Sequence, residues 1–405
     1  MKNHLLHLAL TLLITLPFAS QSYAAKTQSA NPMGGQEMKE WNFLVFINGV
    51  NNLDRFGKMN INQMEEVGST DKMNILVQWG SYANPNTTRL LVQKDTDKTN
   101  VTSPVVQNLG NVDMGDYKEL VRFVDWAHQN YPAKKYFIAV WNHGSGWNFV
   151  DSSTIRPTDI SYDDRTGNHI TTEQLALAMK ESAKIIGHKV DIYASDACLM
   201  AMAEVASEMA DSVQYFLGSQ DNEPGEGWPY ANFLGKWSKQ IDSLSARDVA
   251  SLHAKEYLAA YSAGGVYRAS KVTMAAYDLG QTANYEAAIR GVSDYLKNLS
   301  ASDLSKAQAS MANTKEFGYA DFYDLIDYVN QLEKSGLRSS SFANLRQAHQ
   351  AYVVANEQNQ DNKTSGVSVW ISKGSSYSRD ANRYANLRFN QTAQWSSFLK
   401  ALNGR

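Results

Sequence analysis

The sequence is poorest in cysteine, with Cys198 the only one among 405 residues. A single thiol excludes an internal disulfide, and it excludes the paired-cysteine patterns that bind structural zinc. The His-Glu-x-x-His pattern of zinc peptidases is missing too, so metal catalysis is not expected. A lone cysteine is either a small buried hydrophobic residue or a reactive thiol, and its surroundings decide between the two.

Two further absences concern positive charge and membrane spans. Lysine plus arginine number 38 against 41 aspartates plus glutamates, which gives a formal net charge of −3. No basic stripe is present, so we expect no nucleic-acid partner. Beyond the N-terminus no apolar run is long enough to cross a bilayer, so we expect no membrane anchor.

The N-terminus has the pattern of a secretory signal peptide, expected over residues 1–24. Lys2 provides a basic start, residues 5–16 are mostly apolar, and residues 22–24 form a small-x-small cleavage site. The apolar part is too short to span a membrane, and no cysteine near the cut allows bacterial-type lipid attachment. We therefore expect a secreted or periplasmic protein whose mature chain begins with a disordered lead over residues 25–40.

Strand-like and helical segments alternate through the rest of the chain. Apolar runs typical of buried strands occur at residues 41–50, 73–79, 135–141, 190–194, 213–218 and 272–277. Helical spacing separates most of them, and residues 88–94 with 101–109 predict an edge hairpin. This alternation predicts an α/β fold with a mostly parallel central sheet covered by helices on both faces.

The predicted domain organisation has two parts beyond residue 40. Residues 41–280 hold the main sheet, with a polar segment at 148–170. Residues 281–405 form a C-terminal helical extension with a late strand at 367–371, packed on the main sheet domain.

Cys198 follows the strand predicted at residues 190–194. Open α/β sheets place their ligands at the C-terminal ends of strands, where this thiol is expected to lie. We expect a helix to begin at or just after Cys198, with its positive N-terminal end favouring the thiolate. An unpaired cysteine in an exported chain also favours the reactive interpretation.

His143 follows the strand predicted at residues 135–141 and precedes two glycines. Alone it could be a loop histidine that starts a glycine turn. However, one crossover helix at 171–186 separates its strand from that of Cys198, so the two strands can be parallel neighbours. A thiol and an imidazole at adjacent strand ends form a dyad in which histidine moves protons and sulfur attacks a carbonyl. The backbone N–H groups of Gly144 and Cys198 would then hold the oxyanion.

The polar segment at 148–170 has little periodicity, and loops of this length are typically functional or disordered. Its acidic part, residues 159–168, offers oxygen ligands for calcium but lacks the spacing of a full calcium-binding loop. We therefore expect no cofactor, with calcium the one metal ion left to consider.

Five stretches make the chain resemble the clostripain family of cysteine peptidases, in the clan of caspases, gingipains and legumain. They are FINGVNNLD at 46–54, NHGSGW at 142–147, DACLMAMAE at 196–204, SQDNEPGEGWPY at 219–230 and VSVWIS at 367–372. One departure is Gly49-Val50, where many relatives carry a small residue and an acid. The resemblance implies a caspase-like three-layer α/β/α sandwich and an endopeptidase that cleaves after a basic residue, usually arginine.

The resemblance also implies roles for individual residues. Cys198 would be the nucleophile, His143 the general acid and base, and Asp196 an acid at the floor of the S1 pocket. A carboxylate can pair bidentately with a guanidinium, although Asp196 could instead cap the helix expected after it. Asp221 is a second candidate for the S1 acid. Trp228 is a candidate wall of the cleft, with core packing as the alternative.

Relatives in this family are often cut between the histidine and cysteine halves, and the polar segment at 148–170 suits such self-processing. The segment contains two arginines and no lysine. Arg156 precedes Pro157, whose ring hinders cleavage. We therefore expect the cut at the Arg165–Thr166 bond.

Two alternative functions remain open on the sequence alone. The same scaffold could act as a hydrolase or transferase of different specificity, since a fold does not determine a function. The protein could also be a catalytically silent exported binding module, although the presence of both His143 and Cys198 argues against it. For the peptidase, the expected partners are proteins or peptides with a basic P1 residue.

Overall fold

The computed structural model describes residues 38–148, 150–151, 156–157, 159–318 and 321–404. The expected signal peptide and most of the expected disordered lead lie outside these residues. Lys39 and Glu40, placed in that lead by the sequence analysis, already belong to the first strand. Within the described residues no helix is both long and apolar enough to cross a membrane.

The strands are short at the chain's polar segments and longest in the buried centre. In chain order they are β1 Lys39–Gly49, β2 Met73–Ser81, β3 Thr87–Leu91, β4 Val105–Gly110, β5 Ala133–Trp141, β6 Val150–Asp151, β7 Arg156–Pro157, β8 Val190–Asp196, β9 Val213–Gly218, β10 Thr273–Asp278, β11 Glu316–Phe317, β12 Phe322–Asp324, β13 Val353–Gln358 and β14 Ser368–Trp370.

The helices lie between these strands and dominate the C-terminal third. They are α1 Asp54–Glu65, α2 Tyr117–Asn130, α3 Thr172–Ile186, α4 Ala203–Glu208, α5 Tyr230–Lys239, α6 Ala246–Ala260, α7 Thr282–Lys297, α8 Ala301–Met311, α9 Leu325–Lys334, α10 Ser340–Tyr352, α11 Gly374–Asn386, α12 Arg388–Ala393 and α13 Trp395–Leu402.

The central sheet of the described residues has nine strands in the order β13-β10-β9-β8-β5-β1-β2-β3-β4. The middle strands β9, β8, β5, β1 and β2 pair in parallel. The strands toward both edges pair antiparallel, among them the hairpin of β3 and β4. The predicted mostly parallel sheet and its edge hairpin are confirmed.

The central strands are buried on both faces, as their continuous apolar sequence predicts. β1 is buried at every position from Trp41 to Gly49. Alternate side chains enter two separate cores: Phe43 and Val45 pack with α1, α5 and α6, whereas Leu44 and Phe46 pack with α2, α3 and C-terminal helices. The result is the expected three-layer α/β/α sandwich.

The C-terminal region contains the predicted late strand, β14, and further strands that were not predicted. The late strand β14 does not join the central sheet but pairs with β12, which pairs with β11. β12 directly precedes α9, which starts at Leu325. The edge strand β13 was missed because its residues are half-buried and lack a continuous apolar run. From Met38 onward the chain forms one compact unit.

Candidate active site

His143 and Cys198 follow neighbouring parallel strands. β5 pairs with β8 in a register that places Trp141 opposite Asp196, so each side chain lies two residues beyond a paired strand end. Both line one pocket of about 300 Å³, together with residues from the loops after β1 and β9. The structure therefore brings the imidazole and the thiol together at one edge of the sheet, where the sequence places them.

The turn that carries Cys198 differs from the expectation. Leu199 has a φ of 64° in a tight turn, and α4 begins only at Ala203. The Sγ atom accepts the backbone N–H of Glu223 at 3.2 Å. Burial raises the pKa of the thiol to about 12, and the nearby carboxyl groups of Glu223 and Asp221 act in the same direction. The predicted helix N-terminus at the sulfur is wrong, and the raised pKa favours the thiol over the thiolate.

The imidazole of His143 lines the same pocket as the Cys198 thiol. Its Nε2 atom is 2.7 Å from Oδ1 of Asn52. Desolvation lowers its pKa below the ordinary value, and Asp164 acts in the opposite direction. A neutral ring is therefore favoured at neutral pH, as a proton acceptor requires. Gly144 allows the close approach of the two loops, because a Cβ atom there would lie 2.5 Å from the carbonyl oxygen of Cys198.

Two acidic side chains, Asp196 and Glu223, line the same pocket. Asp196 is 5% exposed and accepts a hydrogen bond from the hydroxyl of Tyr230 at 2.7 Å. Burial raises the pKa of Asp196 to about 7. Both carboxyl oxygens of Glu223 are buried without a well-formed hydrogen bond, and burial next to Asp196 raises its pKa well above the ordinary value. A pair of buried carboxyl groups favours a cationic ligand that brings N–H donors.

Two predictions about acids in this region need correction. The helix-cap alternative for Asp196 is wrong, because the next helix after Asp196 is α4, which begins only at Ala203. Asp221 does not line the pocket, and its carboxylate accepts a hydrogen bond from Nε2 of Gln360 at 2.6 Å. Glu223, two residues later in the same loop, has the inward position that was proposed for Asp221. The sequence offers no signal for choosing between them.

Trp228 is a core residue and not a wall of the cleft. Its side chain is 0% exposed, and its ring meets that of His253 edge to face with 4.0 Å between centroids. The core-packing alternative is therefore the correct one. The aromatic ring was misplaced because a tryptophan in a glycine-rich loop can turn either to the pocket or to the core.

Within the polar segment before α3, residues 159–163 are buried, whereas residues 164–168 are exposed. Asp159 is fully buried and forms an ion pair with Arg383 of α11, which also pairs with Glu173. Asp163 is fully buried and accepts the backbone N–H groups of Met114 and others. Two of the three carboxylates considered for calcium, those of Asp159 and Asp163, are therefore buried and engaged within the protein.

The predicted processing bond lies in a closed turn of that segment. Arg165 and Thr166 are exposed, and both backbone N–H groups donate to Oδ1 of Asp163. The guanidinium of Arg165 also donates to Asn111 and to the carbonyl oxygen of Ser81. Cleavage there requires this turn to open first.

The architecture of the site has a counterpart in known proteins. An α/β/α sandwich with a thiol and an imidazole at adjacent parallel strand ends is the arrangement of caspase-like cysteine peptidases. A family model described as the clostripain family matches residues 45–401. The chain therefore belongs to the clostripain family of cysteine peptidases.

Individual relatives are distant in sequence. Clostripain from Hathewaya histolytica is 23% identical over 283 residues, which cover 57% of this chain and 51% of that protein. The chain thus spans about half the length of this curated relative. A secreted C11 cysteine protease from Bacteroides thetaiotaomicron, solved with an irreversible peptide inhibitor, has a TM-score of 0.68 at 18% identity, covering 88% of this chain and 99% of that one.

A second solved structure gives the same result. The inactive zymogen of a C11 protease from Parabacteroides distasonis has a TM-score of 0.67 at 18% identity, covering 88% of this chain and 99% of that one. Likeness at this identity concerns the fold, and the caspase-like sandwich expected from the sequence is confirmed.

Proposed function

We propose that the protein is an exported cysteine endopeptidase that cleaves peptide bonds after basic residues, arginine before lysine. The observation that carries the proposal is the single pocket that holds Cys198, His143, Asp196 and Glu223 together. Membership of the clostripain family supports the reaction class. The expected signal peptide supports export.

The proposed reaction starts with a neutral dyad. His143 takes the proton of the Cys198 thiol as the sulfur attacks the scissile carbonyl carbon, which forms the tetrahedral intermediate. The backbone N–H groups of Gly144 and Cys198 stabilise the oxyanion. His143 then gives the proton to the leaving amine, and an acyl-enzyme remains on the sulfur. Water, deprotonated by His143, hydrolyses that thioester and restores the thiol.

The proposed specificity rests on the two acidic side chains. An arginine side chain in the pocket would place its positive charge beside Asp196 and supply N–H donors to the buried oxygens of Glu223. The planar guanidinium offers five donors, whereas a lysine ammonium offers three at a single point. This difference is the reason to place arginine before lysine.

A peptide library tests the proposal on the purified protein beside Cys198→Ala and His143→Ala. We expect cleavage after arginine and then lysine, with a loss of about a thousandfold or more in each variant. Circular dichroism should show the same folded state in all three proteins. Near-full turnover by His143→Ala would contradict the dyad, and cleavage mainly after neutral residues would favour a hydrolase of different specificity.

Covalent labelling separates the peptidase from a silent binding module. A peptide chloromethyl ketone ending in arginine should alkylate Cys198 much faster than one ending in alanine. A binding module would be labelled slowly by both reagents, because its thiol is protonated and lacks an active base. The proposed reaction uses no cofactor, so activity should survive a chelator such as EDTA.

A further inference from the structure

The loop between β1 and α1 brings a third polar side chain to the dyad. Oδ1 of Asn52 lies 2.7 Å from Nε2 of His143. This loop belongs to the stretch at 46–54, for which neither the proposed mechanism nor the specificity supplies a use. Asn52 itself is exposed, so its side chain is not needed to fill the core.

The loop that carries Asn52 is anchored by hydrogen bonds of buried asparagine side chains on either side of the contact. Nδ2 of the buried Asn51 donates to the carbonyl oxygen of Tyr162, and its Oδ1 accepts the N–H of Leu53. Asn142, next to the histidine, donates to the carbonyl oxygen of Asn48 and accepts the N–H of Tyr162. The two loops on either side of the Asn52–His143 bond are therefore joined through buried asparagines and one shared backbone segment.

We propose that Asn52 is a positioning residue that fixes the tautomer and the orientation of His143, a role that rests on the proposed peptidase function. An amide oxygen only accepts hydrogen bonds, so the neutral ring carries its proton on Nε2. Nδ1 is then the unprotonated nitrogen and the proton acceptor of the dyad. When Nδ1 takes the thiol proton, Asn52 still accepts from Nε2 and the ring need not turn.

Several charged or titratable groups surround the His143 ring, but the hydrogen bond at Nε2 is made by Asn52. Asp164 acts on His143 through its charge from the segment before α3. Cys198, Asp196 and Glu223 line the same pocket as His143. None of these supplies the acceptor at Nε2 that Asn52 supplies.

Three variants test the role by kinetics with a P1-arginine peptide. Asn52→Ala should lower kcat about tenfold to a hundredfold, the usual effect of losing one such hydrogen bond, with KM changed less than threefold. Asn52→Asp keeps the acceptor but adds a charge, so it should raise the pKa of His143 and move the acid limb of kcat/KM to higher pH. Asn84→Ala removes another exposed asparagine, from the loop after β2, and should behave as wild type.

A spectroscopic measurement decides the tautomer independently of turnover. In Cys198→Ala protein, two-bond proton–nitrogen correlations should show His143 protonated on Nε2, and adding Asn52→Ala should give a mixture of tautomers. An unchanged tautomer, or a kcat within twofold of wild type in Asn52→Ala, would overturn the proposal. If wild-type protein cleaves no peptide, the proposed function fails, and the tautomer alone then decides whether Asn52 orients the ring.

Discussion

Selectivity for arginine should decrease at low pH, because Asp196, the carboxyl group proposed to bind the arginine side chain, titrates near neutral pH. Burial raises the pKa of Asp196 to about 7. In the free enzyme, Asp196 is therefore ionised in about half of the molecules at pH 7 and in about 1% of them at pH 5. An arginine side chain stays cationic over this range. The ratio of kcat/KM for P1 arginine to that for P1 alanine should thus fall about 20-fold from pH 7 to pH 5, because protonation cannot cost more than loss of the charge.

The ratio isolates Asp196 because His143 and Cys198 act on both substrates alike. Asp196→Asn keeps the size of the side chain and an oxygen acceptor for Tyr230, but it removes the charge. A buried ion pair left half-made costs about 2 kcal/mol or more, so this variant should lose about 30-fold in the ratio at pH 7. Its ratio should also vary less with pH than that of wild type, because Glu223 is then the one of the two acids left to titrate. Glu223→Gln should lose less, because glutamine has the shape of protonated glutamic acid.

The assay uses two fluorogenic peptides that differ only at P1, with initial rates from pH 5 to pH 8. The melting temperature at each pH shows that the protein stays folded. A wild-type ratio that is constant between pH 7 and pH 5 would refute the argument. Equal loss on both peptides in Asp196→Asn would show that the carboxylate supports the structure of the site and does not select arginine.

Two further predictions concern the segment before α3 and the C-terminal helices. Active wild-type protein should be cut after Arg165, and intact-mass analysis should find no such cut in Cys198→Ala or Arg165→Ala; a cut that persists in the cysteine variant would exclude self-processing. Arg383→Ala should lower the free energy of unfolding in urea by about 3 kcal/mol or more, since it leaves the fully buried Asp159 without its ion pair. The control Arg290→Ala removes a pair in α7 that is exposed on both sides and should change little, so equal effects of the two would contradict this reasoning.

Much of the scaffold could be predicted because its signals are local. Apolar runs such as those of β1 and β5 fit the middle of a covered parallel sheet better than any exposed position. The crossover helix predicted at 171–186 is α3, which begins after a capping box of Thr171 with Gln174 and ends at Gly187 in the left-handed region. These interactions join residues that are close in sequence, so the pattern of residue types is enough to identify them.

The loop after β9 could not be predicted because its course depends on distant residues. The side chain of Gln220 donates to Asp324 and Ser368 and accepts the N–H of Gly366, residues 104 to 148 positions away. This anchoring determines which acid of the loop turns to the pocket. The missing helix at Cys198 has a similar cause, since its turn is held by backbone bonds to the same loop.

The sequence by itself determined the layered α/β architecture and the meeting of His143 with Cys198. Continuous buried strands joined by one crossover helix leave few other ways to arrange the chain. Only the tertiary structure decided the burial that raises the pKa of the thiol, the inward position of Glu223 and the contact of Asn52 with the imidazole. Each of these depends on the direction of a side chain or the burial of a group in an irregular loop, and hydrogen bonds between residues far apart in sequence determine that geometry.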